Sequence, residues 1–250
     1  MASTNSFLLK INSRDANNKT ITNPVQISML NLGNISIQSI DIKSASIPNV
    51  FYNVTSYNNT LRVSFNSGSQ IVNIVLPEGQ YTMTTLLSAL NQAIVSAGGF
   101  SLVFTFDSLK NKIYTYSITA YSFIFANSSM FPLIGATPEI NYIGTVNVNS
   151  YLNFPDLSGP RNIYIKSNLA NMNVLEKTGN KNIIGVIPVT VPFANVIHYL
   201  NQEDDISVRR SYIYGQSLND IQIELVDVLG NLLDLDGQNF EIIFKCISNN

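Results

Sequence analysis

The chain has 250 residues, 45% of them hydrophobic and only 12% charged, and its 14 basic and 16 acidic side chains leave a net charge of −2. With Arg209-Arg210 as the only basic doublet, nucleic-acid binding by phosphate neutralisation is excluded. One cysteine, Cys246, excludes an intramolecular disulfide, and no apolar run reaches membrane-spanning length.

Segments 7–11 and 24–30 are short apolar runs on either side of the polar loop Asn12-Ser13-Arg14-Asp15-Ala16-Asn17-Asn18. Ile35, Ile37, Ile40, Ile42 and Ile47 then mark a long, mostly alternating strand with one face buried, ended by Pro48-Asn49. Leu61–Phe65 and Ile71–Leu76 read as a hairpin joined through Asn66-Ser67-Gly68-Ser69. Only residues 78–99 carry a strong helical pattern. Leu86, Leu87, Leu90, Ile94 and Ala97 fall on one stripe, Thr82 or Thr84 caps the start and Gly98-Gly99 stops it, which predicts a helix over about 82–97.

Segments 100–106 and 112–119 form another strand pair turning through 107–111; a strand at 121–125 follows, and Phe131-Pro-Leu-Ile-Gly135 closes the block. Further strands are predicted at 143–152, 161–167, 183–189, 194–200, 206–214, 219–227 and 240–247, with a tight turn at Leu229-Gly230-Asn231 and a surface loop at 168–182. A lone helix among many strands predicts an all-β protein, a sandwich or jelly roll with the helix clamped against it. No Pro/Ser linker cuts the chain, so a single domain over 1–250 is expected, with Met1–Ser6 as a polar, flexible arm.

Chemistry-bearing residues are sparse. His198 is the only histidine and lies in an apolar strand, where it cannot build a multi-histidine metal site. Cys246 sits in the terminal strand as a small apolar group; a dyad with His198 depends on where the two fold. Asp234-Leu-Asp236-Gly237 with Glu241 misses the spacing of a calcium loop and reads as a turn with solvated acids, as does Glu203-Asp204-Asp205. The start, Met-Ala-Ser-Thr-Asn-Ser, lacks the form of a signal peptide, so folding in a reducing, cytosol-like compartment is expected. We expect no catalysis, no cofactor and no bound metal. Polarity comes instead from Asn, Ser, Thr and Gln. That composition suits a surface meant to sit against neighbours, and an AT-rich genome produces it too.

Several local patterns, in order, resemble one family. They are Ser13-Arg14-Asp15; Ser46-Ile-Pro-Asn-Val-Phe-Tyr-Asn53; Leu76-Pro-Glu-Gly-Gln-Tyr-Thr82 leading into the helix; Phe131-Pro-Leu-Ile-Gly135; Leu157-Ser-Gly-Pro-Arg-Asn-Ile-Tyr-Ile165; Ile184-Gly-Val-Ile-Pro-Val189; and Asp227-Val-Leu-Gly-Asn-Leu-Leu-Asp234. Together they resemble the penton (minor capsid) proteins of virophages, Polinton-like viruses and related large DNA viruses. The resemblance implies a single jelly roll, in homopentamers at the fivefold vertices of an icosahedral virion. Trimers of a double-jelly-roll major capsid protein, and other minor capsid proteins, would be its partners. In a chain this short it also implies that any inserted domain is small.

Arg210, Tyr212 and Tyr214 fall on one face of a predicted strand, which packs either inside its own subunit or, as an interface, against a neighbouring copy. Other roles compatible with a sandwich are a cement or fibre-base protein and a jelly-roll carbohydrate-binding module. The absence of tryptophan removes the usual sugar-stacking surface from the last of these.

Overall fold

A computed structural model describes residues 4–16, 25–28, 36–65, 69–98, 101–137, 150–169, 182–201, 211–217 and 220–249. In chain order the strands are β1 (Thr4–Asn12), β2 (Val25–Ser28), β3 (Ser36–Asn49), β4 (Thr60–Phe65) and β5 (Gln70–Val75), then helix α1 (Met83–Ser96). They continue as β6 (Val103–Asp107), β7 (Lys112–Tyr116), β8 (Tyr121–Ile124), the one-turn helix α2 (Phe131–Ile134) and β9 (Ser150–Tyr151). The last six are β10 (Asn162–Ser167), β11 (Ile183–Pro188), β12 (Asn195–Leu200), β13 (Ser211–Ser217), β14 (Asp220–Val226) and β15 (Glu241–Asn249).

Contacts divide the chain into two compact units, one of Met1–Phe51 with Pro160–Asn250 and one of Tyr52–Gly159. This differs from the expectation of a single domain with at most a small insertion. Each unit has its own apolar core, and the second is inserted in sequence between β3 and β10 without any linker composition to mark it.

In the first unit the antiparallel sheets run β1-β15-β3-β12, with β13 also on β3, and β11-β10-β14-β2. Both β12 and β13 run antiparallel to β3, at its Ser44–Asn49 and Ser36–Ile40 portions, so they are two segments of one strand position. Counted so, eight strands lie in the orders 1-8-3-6 and 2-7-4-5, which is the connectivity of a jelly roll. The facing sides of the two sheets share one core, with Ile11, Ile40, Ile42, Ile47 and Phe244 from one sheet and Ile163, Ile165, Ile187, Ile223 and Leu225 from the other. The all-β, jelly-roll expectation therefore holds.

The uneven isoleucine spacing in β3 has a physical cause. Its ladder to β15 shifts register between Ser44 and Ile42 and again between Ser39 and Ile37, and each bulge moves the buried phase by one residue. The strand ends at Asn49, as expected from Pro48-Asn49. The β15 ladder stops at Ser46, so Pro48 lies beyond it and pairs only with Val196 of β12.

Gly185 of β11 answers to the same packing. A Cβ there would lie 2.3 Å from Ile42 Cδ1 of the facing sheet. At the edge of the core, Ser13 opens a 3₁₀ turn and ties it down: its N–H donates to Phe240 O at 3.0 Å and its Oγ accepts from Phe240 N at 2.9 Å.

The second unit pairs β5-β4-β8 and β6-β7-β9, with α1 buried through Leu86, Leu87, Leu90 and Ile94. Thr82 is the N-cap and exchanges bonds with Thr85 in a capping box, while Ala97, expected on the stripe, is the exposed C-cap. Asn91 projects from α1 to the edge strand β6, donating to Phe104 O at 3.0 Å and accepting from Phe104 N at 2.8 Å, as a paired strand would.

Phe131-Pro-Leu-Ile, which closes the block, forms the one-turn helix α2. It ends at Gly135 in the left-handed region (φ 73), against the Asn153 backbone.

Asn53 joins three of the sequence patterns. Its amide donates to Tyr81 O (2.8 Å) and Leu157 O (3.1 Å), and its Oδ1 accepts from Tyr81 N at 2.8 Å. Asn53 and Leu157 stand near the two ends of the inserted unit, so one buried side chain closes it.

Replacing Asn53 by Ala strands these backbone groups, and we expect a loss of about 2–4 kcal/mol in urea unfolding. Asn53→Asp should cost more, because carbonyls of Tyr81 and Leu157 would then face a carboxylate; a loss below that of the Ala variant would refute the assignment. In the jelly-roll unit, Gly185→Ala should cost about 1–3 kcal/mol through overpacking. Adding Ile42→Val should return part of it, so a strictly additive double variant would show that this contact is not the cause.

Candidate assembly interface

The residues singled out for chemistry are kept apart. Cys246 is fully buried on β15 and faces the core, whereas His198 is exposed on β12, so they form no dyad. Burial, with the Asp41 charge as a lesser cause, pushes the Cys246 thiol up to about 12. Asp234 Oδ1 accepts from Asp236 N at 2.9 Å as a turn former, and Glu241 pairs with Lys10 at 2.8 Å. Among the described residues no three His, Cys, Asp or Glu side chains converge as a metal site would require, and no helix is long and apolar enough to cross a membrane.

Of the interface candidates, Arg210 lies outside the described residues, as do Glu203-Asp204-Asp205 and Met1–Ser3. Tyr212 and Tyr214 lie on β13. The backbone of Tyr212 pairs with Ser39, and the register then shifts before Gln216, so strict alternation is not imposed through Tyr214. Thr4–Ser6, expected in a flexible arm, are instead paired with Asn249, Ser248 and Ile247 of β15. A polar strand end is held here by its ladder, which composition does not reveal.

Two surface features of the jelly-roll unit stand out, the second of them at the tight turn expected at Leu229-Gly230-Asn231. One is a groove of about 210 Å³ on the outer face of the β1-β15-β3-β12 sheet. Ser44 and Ser46 of β3 line it, together with His198 and Leu200 of β12 and Glu241 and Ile243 of β15. It exists because two short serines sit between taller side chains: His198 and Glu241 both pair with Ser46, and Leu200 and Ile243 with Ser44.

The other is the turn that follows β14. Asp227 Oδ1 accepts from Leu229 N at 2.8 Å and Asn231 N at 2.9 Å, and its Oδ2 accepts from the Asn231 amide at 2.9 Å. Gly230 takes positive φ (86), and Val226 bridges Leu232 across the base. With the polar groups turned inward, the apolar ones face out: Leu229 is 65% exposed, Val228 48% and Leu232 42%. Two aliphatic residues inside an Asp-x-x-Gly-Asn turn were the sequence signal for this inverted polarity.

No family model matches the chain, and no curated protein sequence does. Among solved structures, the mavirus penton protein is similar over 98% of this chain and 100% of its own, with a TM-score of 0.51 and 11% identity. A chain of the Sputnik virophage structure, determined by cryo-EM, is similar over 98% of this chain and 97% of its own, with a TM-score of 0.46 and 14% identity. At 11% identity the likeness is one of fold. The class so defined is a jelly roll with a large insertion between its third and fourth strands. In particular, the chain has a virophage penton-like fold along nearly its whole length.

The neutral Cys246 thiol contributes stability that is complete below about pH 9 and lost as pH rises toward about 12, where the folded protein ionises. Measured against Cys246→Val in urea unfolding, the wild type should therefore hold a constant difference up to about pH 9 and lose ground above it. A difference that stays flat to pH 11 would show that the thiol is not held neutral by burial.

Proposed function

We propose that the chain is a structural virion protein, a penton subunit whose five copies close a ring at the fivefold vertices of an icosahedral capsid. Support comes chiefly from one observation, the full-length fold likeness to the mavirus penton protein. The jelly-roll unit adds a physical reason. Its groove and its apolar turn are unlike surfaces, and unlike surfaces on identical copies make head-to-tail contacts, which close into rings when the rotation allows.

In this role the protein works by shape and catalyses nothing. Its few carboxylates hold turns and ion pairs, as at Asp227, Asp234 and Glu241. Trimers of a double-jelly-roll major capsid protein would flank it at the vertex, and Arg210, Tyr212 and Tyr214 remain interface candidates from the sequence.

Light scattering on the purified chain, alone and mixed with the major capsid protein, tests this. The expected species is fivefold the 27.6 kDa chain mass. A trimer would point to a cement or fibre-base role, and a chain that stays monomeric in both conditions and is missing from vertices of reconstituted particles would end the proposal.

A further inference from the structure

We infer that the Asp227–Asn231 turn of one copy seats in the outer-face groove of the next, with Leu229 set between Leu200 and Ile243. This rests on the ring reading above and names the contact that would build it.

Four observations carry it. The turn is apolar where turns are ordinarily polar, with Leu229, Val228 and Leu232 all well exposed. It is also rigid, because Asp227 alone takes three hydrogen bonds from within it, so little ordering entropy is lost when it docks. The groove offers a matching surface, with aliphatic walls from Leu200 and Ile243 over hydroxyls of Ser44 and Ser46.

The fourth is placement. The turn follows β14 of one sheet, and the groove opens on the outer face of the other sheet. Both lie toward the end of the sandwich where the chain passes from β14 to Glu241, the first residue of β15. A turn at the sandwich end and a groove on a sheet face are two different surfaces, as a ring of side-by-side copies needs. A twofold dimer would instead bring like surfaces together.

Charged groups lining the groove are few. Glu241 is engaged by Lys10, and His198 stands across Ser46 from it, so a docked aliphatic side chain displaces water without burying an unpaired carboxylate.

The test is cysteine cross-linking in the full chain with a mild oxidant such as diamide, Cys246 being buried and protonated. Leu229→Cys with Leu200→Cys in one chain should give a ladder of covalent oligomers ending at five. Either single variant should stay uncross-linked. A Leu229→Cys variant that links to itself would overturn the inference, since that contact is twofold. So would a wild type of fivefold mass whose double variant gives no ladder, and there the ring reading survives. A ladder ending at three supports the turn-in-groove contact and overturns the fivefold reading.

Charge insertion supplies an independent arm. Leu229→Glu should raise the concentration needed for assembly about tenfold or more while leaving Tm unchanged. Leu109→Glu, at the 96% exposed tip between β6 and β7, should leave it unaltered. Equal effects from both would overturn the inference, because the loss would then follow net charge alone.

Discussion

The grip of Asn53 on both ends of the inserted unit is the constraint on which this chain's architecture depends. A jelly roll interrupted between its third and fourth strands must place β3 in one sheet and β10 in the other although a whole second core separates them in sequence. Closing so long a segment is entropically costly, though the cost grows only slowly with length. The cost falls further when the segment folds by itself with its ends together. The amide of Asn53 does this at Leu157, and the same side chain clamps Tyr81, the residue before the α1 cap. Asn58 then holds the Asn53 carbonyl at 2.9 Å, so the clamp is itself braced. One buried amide thus links entry, helix start and exit.

This use of amides also bears on the composition. Asparagine enrichment alone is compatible with an AT-rich genome, yet many of these side chains stand in for missing backbone partners. Asn91 completes the edge of β6, Asn59 holds Leu76 O at 2.9 Å, and Asn49 holds Val191 O at 2.8 Å. Carboxylates are spent the same way. Asp107, Asp156, Asp227 and Asp234 each accept a backbone N–H two residues on. Acids committed to turns in this way are poorly placed for proton transfer.

Local features were legible in the sequence and pairings were not. Period-two runs located most strands, and the stripe of Leu86, Leu87, Leu90 and Ile94 located α1 to within a residue at each end. The turn patterns that carried the family likeness prove to be the hydrogen-bonded nodes of the fold. Their chemistry is short-range, which is why it can be read. By contrast, β1 pairs with β15 and β2 with β14, across most of the chain's length, and nothing in either strand names its partner. The division into two units was hidden for the same reason, since it is a property of contacts and no linker composition accompanies it. The groove could not be foreseen either: it needs Ser46, His198 and Glu241 brought into register from three distant strands. The apolar turn after β14 was half visible, as a turn that carries Val228 and Leu229.

A surface of this kind assembles differently from a charged one. Few long-range fields steer the approach of two copies, so recognition rests on contact geometry, and contact geometry is reliable only where the surfaces are stiff. Stiffness is what the hydrogen bonds of Asp227 supply to the turn and what the β3 ladders supply to the floor of the groove. Neutral surfaces cost less to desolvate than charged ones, provided that their amides and hydroxyls find partners on docking. With only 12% of its residues charged, such a jelly roll has little charge with which to forbid a wrong contact, so any selectivity between copies would have to come from shape.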